Sequence, residues 1–124
     1  LMVVLNQFME SYNKFNHLKI HTQYSICEGA LKIGELSDFC KKNKIRALGL
    51  SDTANLCGAL EFSENISKVG TQPILGTQIN FKYKNEYGLL PLIAKTKKGY
   101  SSMVNLSSKS FLDIDDQETP HCEI

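Results

Sequence analysis

His17-Leu18-Lys19-Ile20-His21-Thr22-Gln23-Tyr24-Ser25-Ile26-Cys27-Glu28-Gly29 (HLKIHTQYSICEG) is the stretch around which the chain is organised. Read as a strand over Asn16–His21, its two-residue period puts His17, Lys19 and His21 on one face. Leu18 and Ile20 then face the other way, toward a covering layer. Alternate strand histidines stand roughly 7 Å apart along the chain, within reach of one metal cluster. The middle position of the three, however, is a lysine, so a fixed cation sits at this strand end.

Beyond this stretch, helical and strand periods alternate. Leu36, Phe39 and Cys40 fall at i, i+3 and i+4 and predict a helix over Gly34–Asn43. Lys41, Lys42 and Lys44 crowd its last turn, where cations suit the helix dipole. Ile45–Leu50 (IRALGL) predicts a short buried parallel strand ending in Ser51-Asp52-Thr53. Ala59, Phe62, Ile66 and Val69 carry a second helix, with Gly70 placed as its C′ residue. Pro73–Phe81 reads as a third strand, Asn85-Glu86-Tyr87-Gly88 as a turn, and Leu89–Ala94 (LLPLIA) as a fourth strand. Pro91 removes one ladder donor there, which suits an edge or a bulge. Tyr100, Met103, Val104, Ser107 and Phe111 mark a third helical face.

This β-α-β-α-β order is the pattern of right-handed crossovers building a parallel sheet. Ligands in such folds bind at the carboxyl ends of the strands. His21 and Thr22 end the first strand and Ser51 and Asp52 the second, as that rule asks. The competing reading makes Asp52 and Thr53 mere caps of the following helix.

Composition bounds the function classes. The chain of 124 residues has 42% apolar and 22% charged residues, an ordinary globular balance for one domain or part of one. A net charge of +1, from 14 basic and 13 acidic residues, lacks the footprint of a stand-alone nucleic-acid binder. The four cysteines, Cys27, Cys40, Cys57 and Cys122, form no CxxC pair. A zinc ribbon and a disulfide framework are therefore not expected, and the thiols read as reduced ones in a cytoplasmic protein. No apolar run approaches the roughly 20 residues of a membrane span. LMVVLNQFM at the start has no basic n-region, so no signal peptide is read there. Leu1 in place of an initiating methionine points to a chain truncated or extended upstream, with Met9 as a candidate natural start.

Several of these segments together resemble one family. FNHLKIHTQYSICEG, LGLSDTANLCGALEF and QPILGTQI, in that order, are similar to motifs of the PHP (polymerase and histidinol phosphatase) domain. The resemblance is to the branch at the N-terminus of the bacterial replicative polymerase alpha subunit, and it runs from about Phe15 to Leu112. Asn55, Gly58-Ala59 and Gly99-Tyr100-Ser101-Ser102-Met103 resemble that branch more than the free-standing phosphatases. What the resemblance implies is the first part of a distorted, TIM-like β/α barrel, with about four mainly parallel strands and three helices. It divides the chain into an N-terminal extension (1–14), the first part of the PHP domain (15–112), and an acidic segment (113–124) leading into the remainder.

The departures from the family pattern carry the functional reading. The resemblance implies metal ligands from two strand histidines, an aspartate before the glycine, a histidine after the second-strand aspartate, and a glutamate on the third strand. In this chain His21 is kept and Glu28 stands in for the aspartate. Lys19, Thr53 and Gln78 replace the other three beside Asp52, and a further family histidine falls near Leu89. A divalent cluster needs neutral imidazoles and negative carboxylates. A protonated lysine has no lone pair, threonine offers a hydroxyl and glutamine a neutral carbonyl. Without a bound metal to lower the pKa of a water, phosphoester hydrolysis has no nucleophile. The expectation is a catalytically degenerate scaffold that binds no cofactor, with Lys19 pairing Asp52 or Glu28; the plainer alternative has Lys19 reaching to solvent.

For the parent protein the resemblance implies template-directed DNA synthesis, with Mg held in a separate palm domain. Its implied partners are the proofreading exonuclease subunit, other replicase subunits and DNA, with no membrane. The rival readings are a free-standing metal-dependent PHP phosphoesterase and a short protein that only binds a partner. Other residues read as structural: His17 as a hydrogen-bonder, Tyr24-Ser25 as a pair without a base, and Cys27 and Cys57 as small apolar packing. Asp113, Asp115 and Asp116 read as solvated, and open strand edges predict aggregation of an isolated piece.

Overall fold

The computed structural model describes residues 15–115 and 117–124. The extension read over 1–14, with Met9 as its candidate start, and Asp116 of the acidic run lie outside the described residues. The elements are α1 (Ile33–Asn43), β1 (Ala47–Gly49), β2 (Asp52–Thr53), α2 (Ala59–Lys68), β3 (Gln72–Ile74), β4 (Gly76–Tyr83), β5 (Glu86–Ile93), α3 (Lys97–Leu112) and β6 (Cys122–Glu123). The described residues form an α/β fold with three helices and mostly parallel pairing. The described residues hold six short strands rather than about four, and the longest pairing, β4 with β5, is antiparallel.

Local sequence accounts for the helices. In α1 the buried positions Ile33, Leu36 and Cys40 follow the helical repeat, while Phe39 turns outward and is 46% exposed. In α2, Ala59, Phe62 and Ile66 are buried, and Gly70 beyond its end takes a left-handed φ of 81° that a side chain would disfavour. Helix α3 begins at Thr96, whose hydroxyl accepts the Gly99 N–H at 3.0 Å as an N-cap. The buried face of α3 is not the one expected from Val104 and Phe111. Met103 and Ser110 are buried, whereas Val104 and Phe111 are 40% and 53% exposed. The seven-residue step from Met103 to Ser110 runs along the helix, and the serine is accommodated because its hydroxyl donates to Ser107 O at 2.7 Å.

Two small sheets replace the single sheet expected. Pro73–Phe81 is not one strand. β3 lies parallel to β1 with Leu48 opposite Pro73, and after Leu75 the chain enters a second sheet as β4. There Ile74 O accepts the Leu50 N–H and Leu75 O accepts the Ala94 N–H, both at 2.9 Å, so successive carbonyls serve different neighbours. β4 carries β5 along one side, and along the other β2 at its start and β6 at its end. The turn expected at Asn85–Gly88 is two residues long, at Lys84-Asn85, and Glu86 already pairs with Tyr83. Lys84 takes a left-handed φ of 56° there.

Asn16–His21 does not form a ladder strand. It makes an isolated parallel bridge, Ile20 with Leu50, and Thr22 makes another with Leu31. Backbone bonds tie the segment beside β1: Ile20 N–H donates to Gly49 O, Ser51 N–H to Ile20 O and Gly49 N–H to His17 O. Ile20 packs against the core as expected, but Leu18 is 46% exposed. The core itself lies between these strands and the helices α1 and α2, centred on Ile33, Leu36, Leu48, Leu50, Phe62 and Ile66.

Pro91 sits at an edge, as its missing donor suggested. Among the described residues β5 pairs only with β4. Because Ala94 donates to Leu75 and bonding alternates along an antiparallel pair, Leu92 and Leu90 turn their N–H groups toward β4. Ile93, Pro91 and Leu89 face outward. The proline thus removes a donor from the open edge and none from the ladder.

Candidate functional site

The carboxyl ends of the first extended segment and of β1 meet around a tight turn. Ser25 N–H donates to Thr22 O, and Glu28 and Gly29 N–H both donate to Ser25 O. Cys27 takes a left-handed φ of 66° in this turn. Gly29 is pressed against the start of it: a Cβ there would stand 2.1 Å from Thr22 O, so only glycine closes the loop.

This turn delivers its donors to Asp52. The Asp52 carboxylate is 0% exposed and accepts three hydrogen bonds. Thr22 N–H reaches Oδ1 at 2.6 Å, Thr22 Oγ1 reaches Oδ2 at 2.7 Å, and Ser25 Oγ reaches Oδ1 at 2.7 Å. Asp52 is therefore no helix cap. It lies in β2, the residue before α2 is Gly58, and no side chain caps that helix. Thr22 was expected at this strand end and Ser25 was weighed only as a nucleophile, but their bonds to Asp52 were not foreseen from the motifs. Ser25 is also no nucleophile, because its hydroxyl proton goes to Asp52 while its oxygen accepts the Thr53 N–H at 3.1 Å.

A second chain of contacts runs outward from the sheet. Thr53 stands opposite Gln78 in the β2–β4 register. Gln78 Nε2 donates to Thr53 Oγ1 at 2.9 Å, and Thr53 Oγ1 donates to Glu28 Oε2. His21 Nδ1 lies 3.7 Å from the same Glu28 oxygen and 3.4 Å from Ser25 Oγ. The fold thus gathers His21, Glu28, Asp52, Thr53 and Gln78 at one place. Lys19 is not part of it. It is exposed, the Asp52 oxygens are taken by Thr22 and Ser25, and Glu28 Oε2 meets Thr53 Oγ1 with His21 Nδ1 3.7 Å away. The expected Lys19 pairing is replaced by neutral hydroxyl donors, which reach a fully buried carboxylate without bringing a second charge out of water. Leu89 lies on β5 opposite Asn80, with its side chain 46% exposed. Among the described residues, no three His, Cys, Asp or Glu side chains converge as metal ligands. Gln78 Oε1 and Ser51 Oγ are buried without a hydrogen-bond partner.

Beside the cluster opens a cleft of about 250 Å³, lined by Tyr24, Ile26, Glu28, Thr53, Ala54, Asn55 and Phe111. The Tyr24 hydroxyl donates to Glu61 Oε2 at 2.7 Å, and that carboxylate pushes the phenol up from its ordinary pKa. Among the described residues the His17 carbonyl accepts the Gly49 N–H, and its ring meets that of Phe15 in a T-shaped contact with 4.7 Å between centroids.

The cysteines divide differently from the expected packing. Cys27 and Cys57 are exposed, while Cys40 and Cys122 are buried. Burial pushes the Cys40 and Cys122 thiols up from their ordinary pKa. Below the ordinary thiol range both folded and unfolded chains keep these protons, and stability is unaffected by them. As pH rises through the ordinary thiol range, about 8.5, the unfolded chain releases them first, so stability falls across that range. Urea midpoints measured across it check this. Labelling with a thiol reagent should modify Cys27 and Cys57 in the folded chain and the buried pair only on unfolding.

A family model described as the PHP domain matches residues 17–123. The chain belongs to the PHP domain family. Its PHP sequence is 37% identical over 111 residues to DNA polymerase III subunit alpha of Rickettsia felis and 34% over 106 residues to that of Haemophilus influenzae. The Caulobacter vibrioides subunit is 36% identical over 107 residues. These alignments cover 89%, 83% and 80% of this chain but 9% of each relative, so the chain spans a small part of the length of the polymerase subunits it matches. A solved Bifidobacterium adolescentis protein, titled a "putative metal-dependent phosphoesterase", superposes with a TM-score of 0.57 at 17% identity. The superposition covers 78% of this chain and 34% of that one. At this identity the likeness speaks for the fold alone. No described helix is long and apolar enough to cross a membrane.

Proposed function

We propose that this PHP chain is the N-terminal part of a bacterial replicative DNA polymerase alpha subunit, and that it serves there as a metal-free scaffold. In this reading the fold is the first part of a β/α barrel, the parent protein is a cytoplasmic DNA-directed DNA polymerase with Mg in its palm, and the module helps hold the proofreading exonuclease subunit. What supports the parentage is 31–38% identity to polymerase alpha subunits across most of the chain. What supports the loss of metal is the state of Asp52. The fully buried carboxylate already accepts three hydrogen bonds, two on Oδ1 and one on Oδ2, which leaves one of its about four lone-pair sites for an ion. Beside it stand the neutral Thr53 and Gln78, which among the described residues leave His21 and Glu28 as the strong metal donors near each other. That set does not fit a divalent cluster.

The test is elemental analysis of the purified protein with thermal melts. Zn, Mn and Fe should be well below one ion per chain, and chelator should leave the melting temperature unchanged. Stoichiometric metal, with phosphatase turnover that chelator abolishes, would favour the free-standing phosphoesterase instead.

A further inference from the structure

Charge is unevenly placed along this chain. Residues 39–51 carry four basic groups and residues 94–99 carry three, and neither stretch contains an aspartate or a glutamate. The fold brings the two stretches to one end of the molecule. Lys41 closes α1, Lys44 follows at its C-cap, and Arg46 directly precedes β1. β1 lies parallel to β3 with Ala47 opposite Gln72, and the Gln72 N–H donates to Arg46 O at 2.8 Å. Lys41, Lys44 and Arg46 line one cleft of about 280 Å³, and Gln72, Lys95 and Lys97 line another of about 370 Å³. The Arg46–Gln72 bond joins the two. Basic groups therefore run along the amino ends of β1 and β3, while Glu28 and Asp52 stand at the other end. The net charge of +1 conceals this separation.

The lysines have no counter-charge of their own. Lys41, Lys44, Lys95 and Lys97 are exposed, and none of them belongs to an ion pair among the described residues. Lys41 and Lys44 suit the carboxyl end of α1. Lys97 and Lys98, however, fill a first turn of α3 that holds no acid, where cations oppose the helix dipole. Like charges gathered this way repel one another, and an anion relieves the repulsion. The walls narrow the class of anion. None of the large apolar side chains lining the two clefts is an exposed one. A protein partner is held by aromatic and apolar anchors, with lysine depleted, and a membrane surface needs an apolar face to insert. Lysines spread over two adjoining clefts suit instead a partner whose negative charges repeat along a line.

We propose that this end of the molecule binds the phosphate backbone of a nucleic-acid strand, with Lys41 and Lys44 on phosphates at one cleft and Lys95 and Lys97 at the other. The contacts go to phosphates and read no base. The proposal goes beyond the scaffold reading and does not depend on it.

The test titrates a fluorescent twelve-residue oligothymidylate into the purified chain over a series of salt concentrations. It compares the wild type with Lys41→Gln/Lys44→Gln, with Lys95→Gln/Lys97→Gln, and with a control pair at the opposite end, Lys19→Gln/Lys32→Gln. Melting temperatures of all four are measured first. Each of the first two pairs should weaken binding about tenfold at low salt. Each should also lower the slope of log K against log salt by about 1.4, the loss of two single-strand phosphate contacts. The control pair, which removes the same charge, should match the wild type. Equal weakening by the control pair would reduce the effect to net charge and overturn the proposal, as would no binding or unchanged slopes. Binding to polyglutamate or to phosphatidylserine vesicles, but not to the oligonucleotide, would overturn it in favour of an acidic protein or a membrane surface. If a variant melts early, amide shifts in the wild type decide. Shifts at Lys44, Gln72 and Lys97 on adding the oligonucleotide uphold the proposal, and shifts confined to His21 and Glu28 overturn it.

Discussion

Asp52→Ala should cost about 3–5 kcal/mol of stability, enough to leave a domain of this size marginal or unfolded. The loss does not come from a missing ion pair, because the Asp52 partners are neutral. It comes from three donors stranded at once in a place water does not reach: the Thr22 N–H, the Thr22 hydroxyl and the Ser25 hydroxyl. Thr22 is 0% and Ser25 1% exposed, so neither recovers a solvent partner without opening the turn. An unsatisfied buried donor costs about 1–3 kcal/mol, and three sharing one acceptor are not additive, which sets the range. Asp52→Asn should be milder, since one oxygen still accepts while the new amide faces a donor it cannot satisfy. Urea denaturation of the three proteins checks the order. A loss under about 1 kcal/mol for Asp52→Ala would mean the turn relaxes freely and that the carboxylate does not organise the site.

Phe62→Ala should be comparably severe, at about 3–5 kcal/mol, for a different physical reason. Phe62 is 0% exposed on α2 and sits in the cluster that includes Ile33, Leu48 and Ile66. Truncation removes the transfer energy of the ring and leaves a cavity between two helices and a sheet that cannot all close on it. Phe111→Ala on α3 is the control. With its ring 53% exposed, it should change stability by less than about 1 kcal/mol. Equal losses for the two phenylalanines, measured by urea midpoint, would place the core elsewhere.

Much of this fold was legible in the order of residue types, and the misses have identifiable causes. Helical periodicity located α1 and α2 because Leu36, Cys40, Phe62 and Ile66 must share a buried face. It misplaced the inner face of α3, because Ser110 enters the core with its hydroxyl bonded to its own helix and looks polar in sequence. The single strand read over Pro73–Phe81 (PILGTQINF) runs through Gly76, where a Cβ would stand 2.5 Å from Leu92 O and 2.8 Å from Leu50 O, and that glycine is the local mark of the place where one sheet hands over to another. At the site, motif likeness placed His21, Glu28, Asp52, Thr53 and Gln78 correctly as neighbours. It offered no sign of the Thr22 and Ser25 bonds to Asp52. Those depend on a turn closed by Gly29 and Cys27, which brings residues about 30 apart in sequence to a single carboxylate. Lys19 was overread for a related reason: residue identity announces a charge, but not whether the backbone points it inward.

Pro91 bears on how the β4–β5 hairpin survives before it has company. The hairpin closes through a two-residue turn and is among the most local contacts in the molecule, so it can form early. A freshly made ribbon with an apolar outer strand is a template on which identical ribbons stack. The proline leaves a gap in the outward row of amides, so a second ribbon attempting to zip along it meets a missing rung midway. Self-templating is interrupted at a position where the ribbon's own internal bonding loses nothing.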